Sequence, residues 1–346
     1  MPAEETKAPR PAKPPSLPLC TYMTNMWPPK PQYTEKDLPD LSGKVFMVTG
    51  SNTGVGKETA RLLYSKNAKV YIAARSEERA KAAIADIQQT NPASTGQLTY
   101  LHLDLADLST IKPTVERFKT RESKLHVLIN NAGVQALKDV DGSAKTKQGH
   151  EQHLGVNVLS VFLFTKLLTP ILVETAKTAP PNTVRVVWVA SLGTEICGEK
   201  EKGLTADYVK YWPALTPLER YGVSKAGNWV HAVEFARRVR EAGVVSIACN
   251  PGHLKSDLYR DGGKLFTTVL DLVALYPPVY GAYTELYSAL SPDITMEKTG
   301  EWVIPWGRLH PIRKDLQKAA KSMEDGGNGH AREFWEWTES LVQNFA

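Results

Sequence analysis

Short runs of apolar, β-branched residues recur along this chain, separated by longer stretches whose apolar positions repeat with a helical period. Residues 44–48, 69–74, 98–103, 127–130, 184–189 and 244–249 read as strands, with a last strand expected at 301–305. Between them, 56–65, 76–89, 110–120, 149–168 and 221–242 read as helices. Ser76 is placed to cap one of these, with Glu77 and Glu78 in its first turn. After Pro251 the alternation weakens. Helices are expected at 265–275, 281–290, 314–323 and 331–343. Strands alternating with helices over about 200 residues predict an α/β fold, a parallel sheet with helices on both faces.

The first 40 residues break this pattern, holding 10 of the 23 prolines. Proline fixes φ and removes a donor, so residues 1–40 are expected to form an extended, disordered arm with no helix through it. Pro14-Pro15 and Pro28-Pro29 suit polyproline II, and Trp27 and Tyr33 are the candidates for packing on the domain. The domain is then expected over 41–346. The start has no apolar signal core. The most apolar stretch, 154–173, is interrupted by Asn157, Lys166 and Pro170, which favours a buried helix over a membrane span.

Composition narrows the class. The chain has 346 residues, 42% hydrophobic and 23% charged, enough for a large core without disulfides. A net charge of +5 with no dense basic run argues against nucleic acid as a partner. Three scattered cysteines, Cys20, Cys197 and Cys249, predict a reducing, cytoplasmic setting, with peripheral membrane association left open.

The candidate chemistry begins at the first strand. Gly50, Ser51, Asn52, Thr53, Gly54, Val55 and Gly56 follow it and open a helix. Glycines there let the backbone approach a pyrophosphate, and the helix N-terminus offers free N–H groups to the anion. This makes the sheet doubly wound, of the Rossmann type, in a single domain. An acidic residue ending the second strand would select NAD, but that place holds Arg75, whose guanidinium suits a 2′-phosphate. The reading is therefore NADP(H), with the alternative that Arg75 is a surface cation and Glu77 or Glu78 serves the ribose. Asp104, ending the third strand, is placed to bond the adenine edge. Asn131, Ala132 and Gly133, after the fourth, are placed to line the cofactor.

Tyr221 and Lys225 lie four apart on one helix face, where an ammonium would make the phenol a better proton donor near neutral pH. With 13 tyrosines and 27 lysines, chance alone supplies about one such pair. Order and position add weight. Ser191 follows a strand at the sheet's carboxyl end, and Asn157 is an amide inside an apolar helix, where burial needs a reason.

Taken in sequence, Thr49-Gly50-x3-Gly54-x-Gly56, Asn130-Asn131-Ala132-Gly133, Gly155-Val156-Asn157, Ser191, Tyr221-Gly222-Val223-Ser224-Lys225 and Pro251-Gly252 resemble a short-chain dehydrogenase/reductase. The resemblance runs from Gly43 to about Leu258 and is nearest the retinol-dehydrogenase-like branch; the proline-rich arm is similar to that of filamentous-fungal members. It implies Tyr221 as general acid/base, Ser191 polarising the carbonyl, Lys225 lowering the Tyr221 pKa and bonding the nicotinamide ribose, and Asn157 anchoring a water. It further implies that Pro251, Gly252 and Ser256 hold the nicotinamide end. The activity implied is hydride transfer between NADP(H) and a ketone, aldehyde or alcohol on an apolar small molecule, retinoid-like or a fungal secondary metabolite.

The chain departs from the family between Ser191 and Tyr221, where it is longer, and after Leu258. A substrate lid is expected over 192–220 and 255–290, with 265–275 as a flap. Tyr208, Tyr211 and Trp212 either contact substrate or anchor the long loop. His253 is a candidate substrate contact, and Trp335 and Trp337 are expected in the core. Helix 221–242 either pairs across a homodimer axis or faces solvent. The competing readings are a catalytically silent NADP(H)-binding sensor, and a scaffold that recruits a partner through the arm.

Overall fold

A computed structural model describes residues 11–255 and 275–346. Eight strands form one sheet: β1 (Val45–Thr49), β2 (Lys69–Ala74), β3 (Gln97–His102), β4 (Val127–Asn130), β5 (Arg185–Val189), β6 (Val245–Cys249), β7 (Trp302–Ile304) and β8 (Arg308–Leu309). Their order is β3-β2-β1-β4-β5-β6-β7-β8. All pairings are parallel except the last, β7 with β8. β1, β4, β5 and β6 are buried along their whole length, as strands covered on both faces must be. The chain reaches one edge at β3 and then crosses back to place β4 beside β1. This reversal opens a crevice at the carboxyl ends of the strands. The α/β doubly wound fold expected from the pattern is the fold observed.

The helices divide between the two faces. α2 (Gly54–Ser65), α3 (Glu77–Thr90) and α8 (Pro278–Leu290) build one apolar layer with Phe46, Val48 and Ile247. α4 (Ile111–Lys119), α5 (Val161–Ala176), α7 (Pro217–Val239) and α9 (His330–Val342) build the other, centred on Trp188, Phe162, Phe235 and Trp335. α6 (Gly193–Cys197) is a single short turn after β5, and α1 (Leu19–Met26) precedes the sheet.

Several expectations change. The arm is not helix-free: α1 fits the window between Pro18 and Pro28, with Pro18 as its N-cap, where no helical N–H is lost. Within 11–40, Leu38 is buried, Tyr33 packs edge-on against Tyr287 at 5.8 Å and Glu35 accepts from Tyr283 at 2.6 Å, while Trp27 stays exposed. The helix expected at 149–168 begins instead with a wide π segment, Leu154–Ser160, and runs on through Pro170 to Ala176. The helix expected at 314–323 is reduced to one tight turn, Leu316–Lys318, because Arg313 and Asp315 are drawn into a buried ion-paired cluster.

Residues 256–274, which hold Ser256 and nearly all of the flap expected at 265–275, lie outside the described residues. The rest of the lid expected up to 290 is not a lid. α8 packs its Ala282 and Leu286 into the sheet, beside α2. Tyr208 and Trp212 are buried in the core, so of the two readings offered for that cluster the loop anchor holds. α7 does not face solvent along its apolar side. α9 covers it, Trp335 stacking on Phe235 at 6.1 Å and Arg238 at 4.7 Å.

α7 starts four residues before the expected position, at a full capping box. Thr216 accepts from the Glu219 N–H, and the Glu219 carboxylate accepts from the Thr216 N–H at 2.7 Å, with Pro217 in the first turn. Because this cap sits one turn before Tyr221, it anchors the helix that carries the candidate chemistry. Thr216→Ala is expected to lower unfolding free energy by about 1 kcal/mol, read from denaturant midpoints; an unchanged midpoint would show that tertiary packing alone sets the helix start.

Candidate active site

Four strand ends meet around one cavity of about 510 Å³. The β1 turn supplies Gly50, Asn52, Thr53, Gly54 and Val55. The β4 end supplies Asn131, Ala132 and Gly133; the β5 end Ser191; the β6 end Pro251 and Gly252; and α7 supplies Tyr221 and Lys225. Thirteen of the residues singled out in the sequence therefore share one cavity.

The loop after β1 is held from behind. Ser51 is buried and its hydroxyl donates to the Val48 carbonyl at 2.7 Å, so it shapes the turn rather than lining the cavity. Asn131 donates its amide to the Thr49 carbonyl at 2.8 Å, and the Thr49 hydroxyl accepts from the Ala132 N–H at 2.9 Å. Gly50 has a φ of 66°, and a Cβ there would stand 2.9 Å from the Ala132 Cα. A Cβ on Gly56 would collide with the Asn131 amide. These contacts leave the N-terminus of α2 facing the cavity, with no acidic side chain in its first turn. Backbone N–H groups, a positive dipole end and absent Cβ atoms together fit a pyrophosphate group.

Arg75 and Asp104 do not line the cavity. Arg75 is exposed just past β2 and joins no ion pair among the described residues. Glu77, one of the alternatives for the ribose, pairs with Lys81 at 2.8 Å along α3. Asp104 accepts from the Ala106 N–H at 2.9 Å, shaping the turn beyond β3.

On the opposite wall, Lys225 is buried and its ammonium donates to the Val189 carbonyl at 2.8 Å. It lies 5.8 Å from the centre of the Tyr221 ring. Burial pushes its pKa down to about 8, because the charged form loses its hydration. Gly133 makes room for it: a Cβ there would stand 3.0 Å from the Lys225 Nζ and 3.2 Å from the Asn157 Oδ1. Asn157 lies behind this wall, fully buried. Its Oδ1 accepts from the Val134 N–H at 2.8 Å, and its Nδ2 donates to the Val134 carbonyl at 3.0 Å and the Ser224 hydroxyl at 2.9 Å. That is the reason an amide stands in an apolar helix. Ser191 lines the cavity, its hydroxyl accepting from the Gly193 N–H at 3.1 Å.

Several contributors were not anticipated. Leu192, Ile196, Leu218 and Val134 give the cavity an apolar side; His253, expected as a candidate substrate contact, lines it too, its Nε2 buried without a hydrogen-bond partner among the described residues. Arg220, next to Tyr221, is completely buried and donates to the carbonyls of Leu215 at 2.8 Å and of Asp139, holding two loops against α7. Glu195 in α6 is buried too; it accepts from the Arg313 N–H at 2.9 Å and the Trp302 indole at 3.3 Å, and burial raises its carboxyl to about 7. Nothing local marks Arg220 as buried, since Glu219 precedes it and Lys225 follows in the same helix. Nothing local in the sequence pairs Glu195 with Arg313, 118 positions away.

Known proteins resemble this chain in sequence and in fold. The family model for short chain dehydrogenase matches residues 44–196. Short-chain dehydrogenase/reductase bet4 of Neocamarosporium betae is 58% identical over 98% of this chain and 99% of its own length. Short-chain dehydrogenase/reductase sthC of Phaeosphaeria nodorum is 61% identical over 82% of this chain and 90% of its own. Among solved structures, an uncharacterized protein from Mycobacterium paratuberculosis superposes with a TM-score of 0.63 at 26% identity, over 90% of this chain and 97% of its own.

The buried ammonium makes a linkage prediction. In the folded chain Lys225 releases its proton as pH rises through about 8, whereas the unfolded chain holds it to about 10.5. Between these values the unfolded state binds more protons, so stability rises with pH. The wild-type chain should gain up to roughly 3 kcal/mol relative to Lys225→Met across that window, measured by denaturant unfolding at each pH. A pH-independent difference would show that the ammonium is not desolvated.

Proposed function

Because the chain belongs to the short-chain dehydrogenase/reductase family, whose members are oxidoreductases that bind a nicotinamide cofactor, we propose that it interconverts a carbonyl and an alcohol on an apolar small molecule using NADP(H). The observation that carries this reading is the shared cavity. The glycine loop and the Ser191, Tyr221 and Lys225 side chains face one space, and its far side is apolar.

Gly50, Asn52, Thr53, Gly54 and Val55 would hold the pyrophosphate, Arg75 a 2′-phosphate, Asp104 the adenine edge, and Asn131, Ala132, Gly133, Pro251 and Gly252 the remainder. Ser256 keeps its role in this proposal from the family motif alone. When bound, the cofactor supplies or accepts hydride at the nicotinamide C4. The protein's part is to bind, orient and move a proton. Ser191 holds the substrate oxygen in the rim of the cavity. In the reductive direction Tyr221 donates its phenolic proton to that oxygen, and in the oxidative direction it takes the proton back. Lys225 stabilises the phenolate by its charge, and its desolvation strengthens that effect at short range. Asn157 acts here by fixing the Val134 backbone and Ser224, one residue from Lys225. Leu192, Ile196 and Leu218 favour an apolar substrate body on the side away from the phosphate loop.

Two measurements test this. Tyr221→Phe is expected to lower turnover by roughly 10²–10⁴-fold, with NADPH affinity nearly unchanged in equilibrium titration; unchanged turnover on a substrate the wild type reduces would refute the proton-donor role. Arg75→Ala is expected to raise the NADPH dissociation constant by roughly 10–100-fold and to leave that for NADH within a few-fold, as loss of a charge-assisted pair requires. Equal effects on both cofactors would remove Arg75 from the 2′-phosphate site.

A further inference from the structure

α1 is built inside out. Its polar residues face the domain. Asn25 is buried, donates to the Thr21 carbonyl at 2.8 Å and accepts from the Asn250 amide at 2.9 Å. Arg308 donates to the Thr24 hydroxyl at 2.7 Å and the Thr24 carbonyl at 2.8 Å. The apolar residues face out: Leu19 is 74% exposed, Tyr22 38%, Met23 46% and Trp27, just past the helix, 50%. Their spacing, i, i+3, i+4 and i+8, puts them on one side of the helix. Four of the eight large exposed hydrophobic residues of the described chain sit in this nine-residue stretch.

Scattered exposed apolar residues need no explanation, but a stripe fastened outward by buried hydrogen bonds does. The surrounding charges identify its partner. α1 itself carries none. From residue 6 to residue 34 the charged positions are Lys7, Arg10, Lys13 and Lys30, all cationic, with Glu4-Glu5 upstream and Glu35 downstream. Lys13 and Lys30, on either side of the helix, are exposed. A protein partner would call for no such one-sided flank. An anionic lipid surface does, because it attracts flanking cations while its interface takes up Leu, Met, Tyr and Trp side chains.

We propose that α1 is a membrane-surface contact. Leu19, Tyr22, Met23 and Trp27 enter the headgroup boundary of an anionic bilayer, and Lys13 and Lys30 pair with its headgroups. The helix lies in the interface plane and does not cross it; among the described residues one helix, Leu154–Ala176, is long and apolar enough to cross a membrane, and it is mostly buried within the fold. Through Asn25 and Asn250 the contact is joined directly to the candidate active-site cavity, which Asn250 lines. The inference does not rest on the oxidoreductase reading.

The test is flotation of the full-length protein with phosphatidylcholine vesicles and with mixed phosphatidylcholine–phosphatidylserine vesicles. Wild type should float with the mixed vesicles, and high salt should weaken binding. The triple substitution Leu19→Ser, Met23→Ser, Trp27→Ser should lower binding at least about tenfold, with unchanged unfolding temperature and turnover, since these side chains already face water. The pair Lys13→Glu, Lys30→Glu leaves the helix intact and should lower binding to the mixed vesicles selectively. Wild type that stays unbound, equal binding to both vesicle types, or binding that neither variant alters would overturn the proposal. So would self-association, seen by sedimentation, that the triple substitution abolishes, because a second copy would then be the occupant.

Discussion

The contact on which the active-site region depends is the close approach of two loops, the one leaving β1 and the one leaving β4. Sheet order makes these strands neighbours while sending the chain away on opposite sides, so a crevice must open between them. Asn131 closes its floor by donating to the Thr49 carbonyl, and Thr49 answers by accepting from Ala132. The approach is so close that Gly50 and Gly56 cannot carry a Cβ without displacing the β4 loop. Small residues and one amide thus set the position of the α2 N-terminus, and through it where an anion can sit.

The other wall solves a harder problem, which is how to keep a cation inside. Lys225 has one carbonyl partner and little water, and that lowers its hold on the proton. Its surroundings are correspondingly stiff. Asn157 grips both Val134 and Ser224, the π segment carries that amide inward, and Gly133 leaves just the space the ammonium needs. The capping box at Thr216 and the buried Arg220 then hold the α7 turn that bears Tyr221. The two walls meet at the β4 loop, whose Asn131 and Ala132 hold the β1 turn while its Gly133 and Val134 abut Lys225 and Asn157.

What could be read in the sequence follows from how local each signal is. β1, β2, β4, β5 and β6 were legible because burial on both faces forces near-continuous apolar runs, and thirteen of the proposed site residues share one cavity because motifs at strand ends inherit the sheet's geometry. The helix ends were less legible. The Thr216–Glu219 box was present but overlooked, and the π segment has no compositional mark. α1 was missed because proline density masked an eight-residue window whose stability comes from tertiary bonds to Asn250 and Arg308. No propensity argument sees such partners.

The same reasoning explains why the chain is least regular on the apolar side of the cavity. α6 is only five residues long, too short to hold itself, and it lines the cavity through Ile196 and Cys197. It is held instead by Arg313, whose N–H bonds the Glu195 carboxylate and whose guanidinium bonds the Gly198 carbonyl at 2.8 Å and Asp315 at 2.6 Å. Removing one member of such a buried cluster strands the others without partners, so the C-terminal segment and the substrate wall must be kept together. The glycine loop is defined largely by its backbone geometry. This wall is held instead by long-range hydrogen bonds from Arg313 to Glu195 and Gly198, so a change at one end must be met at the other.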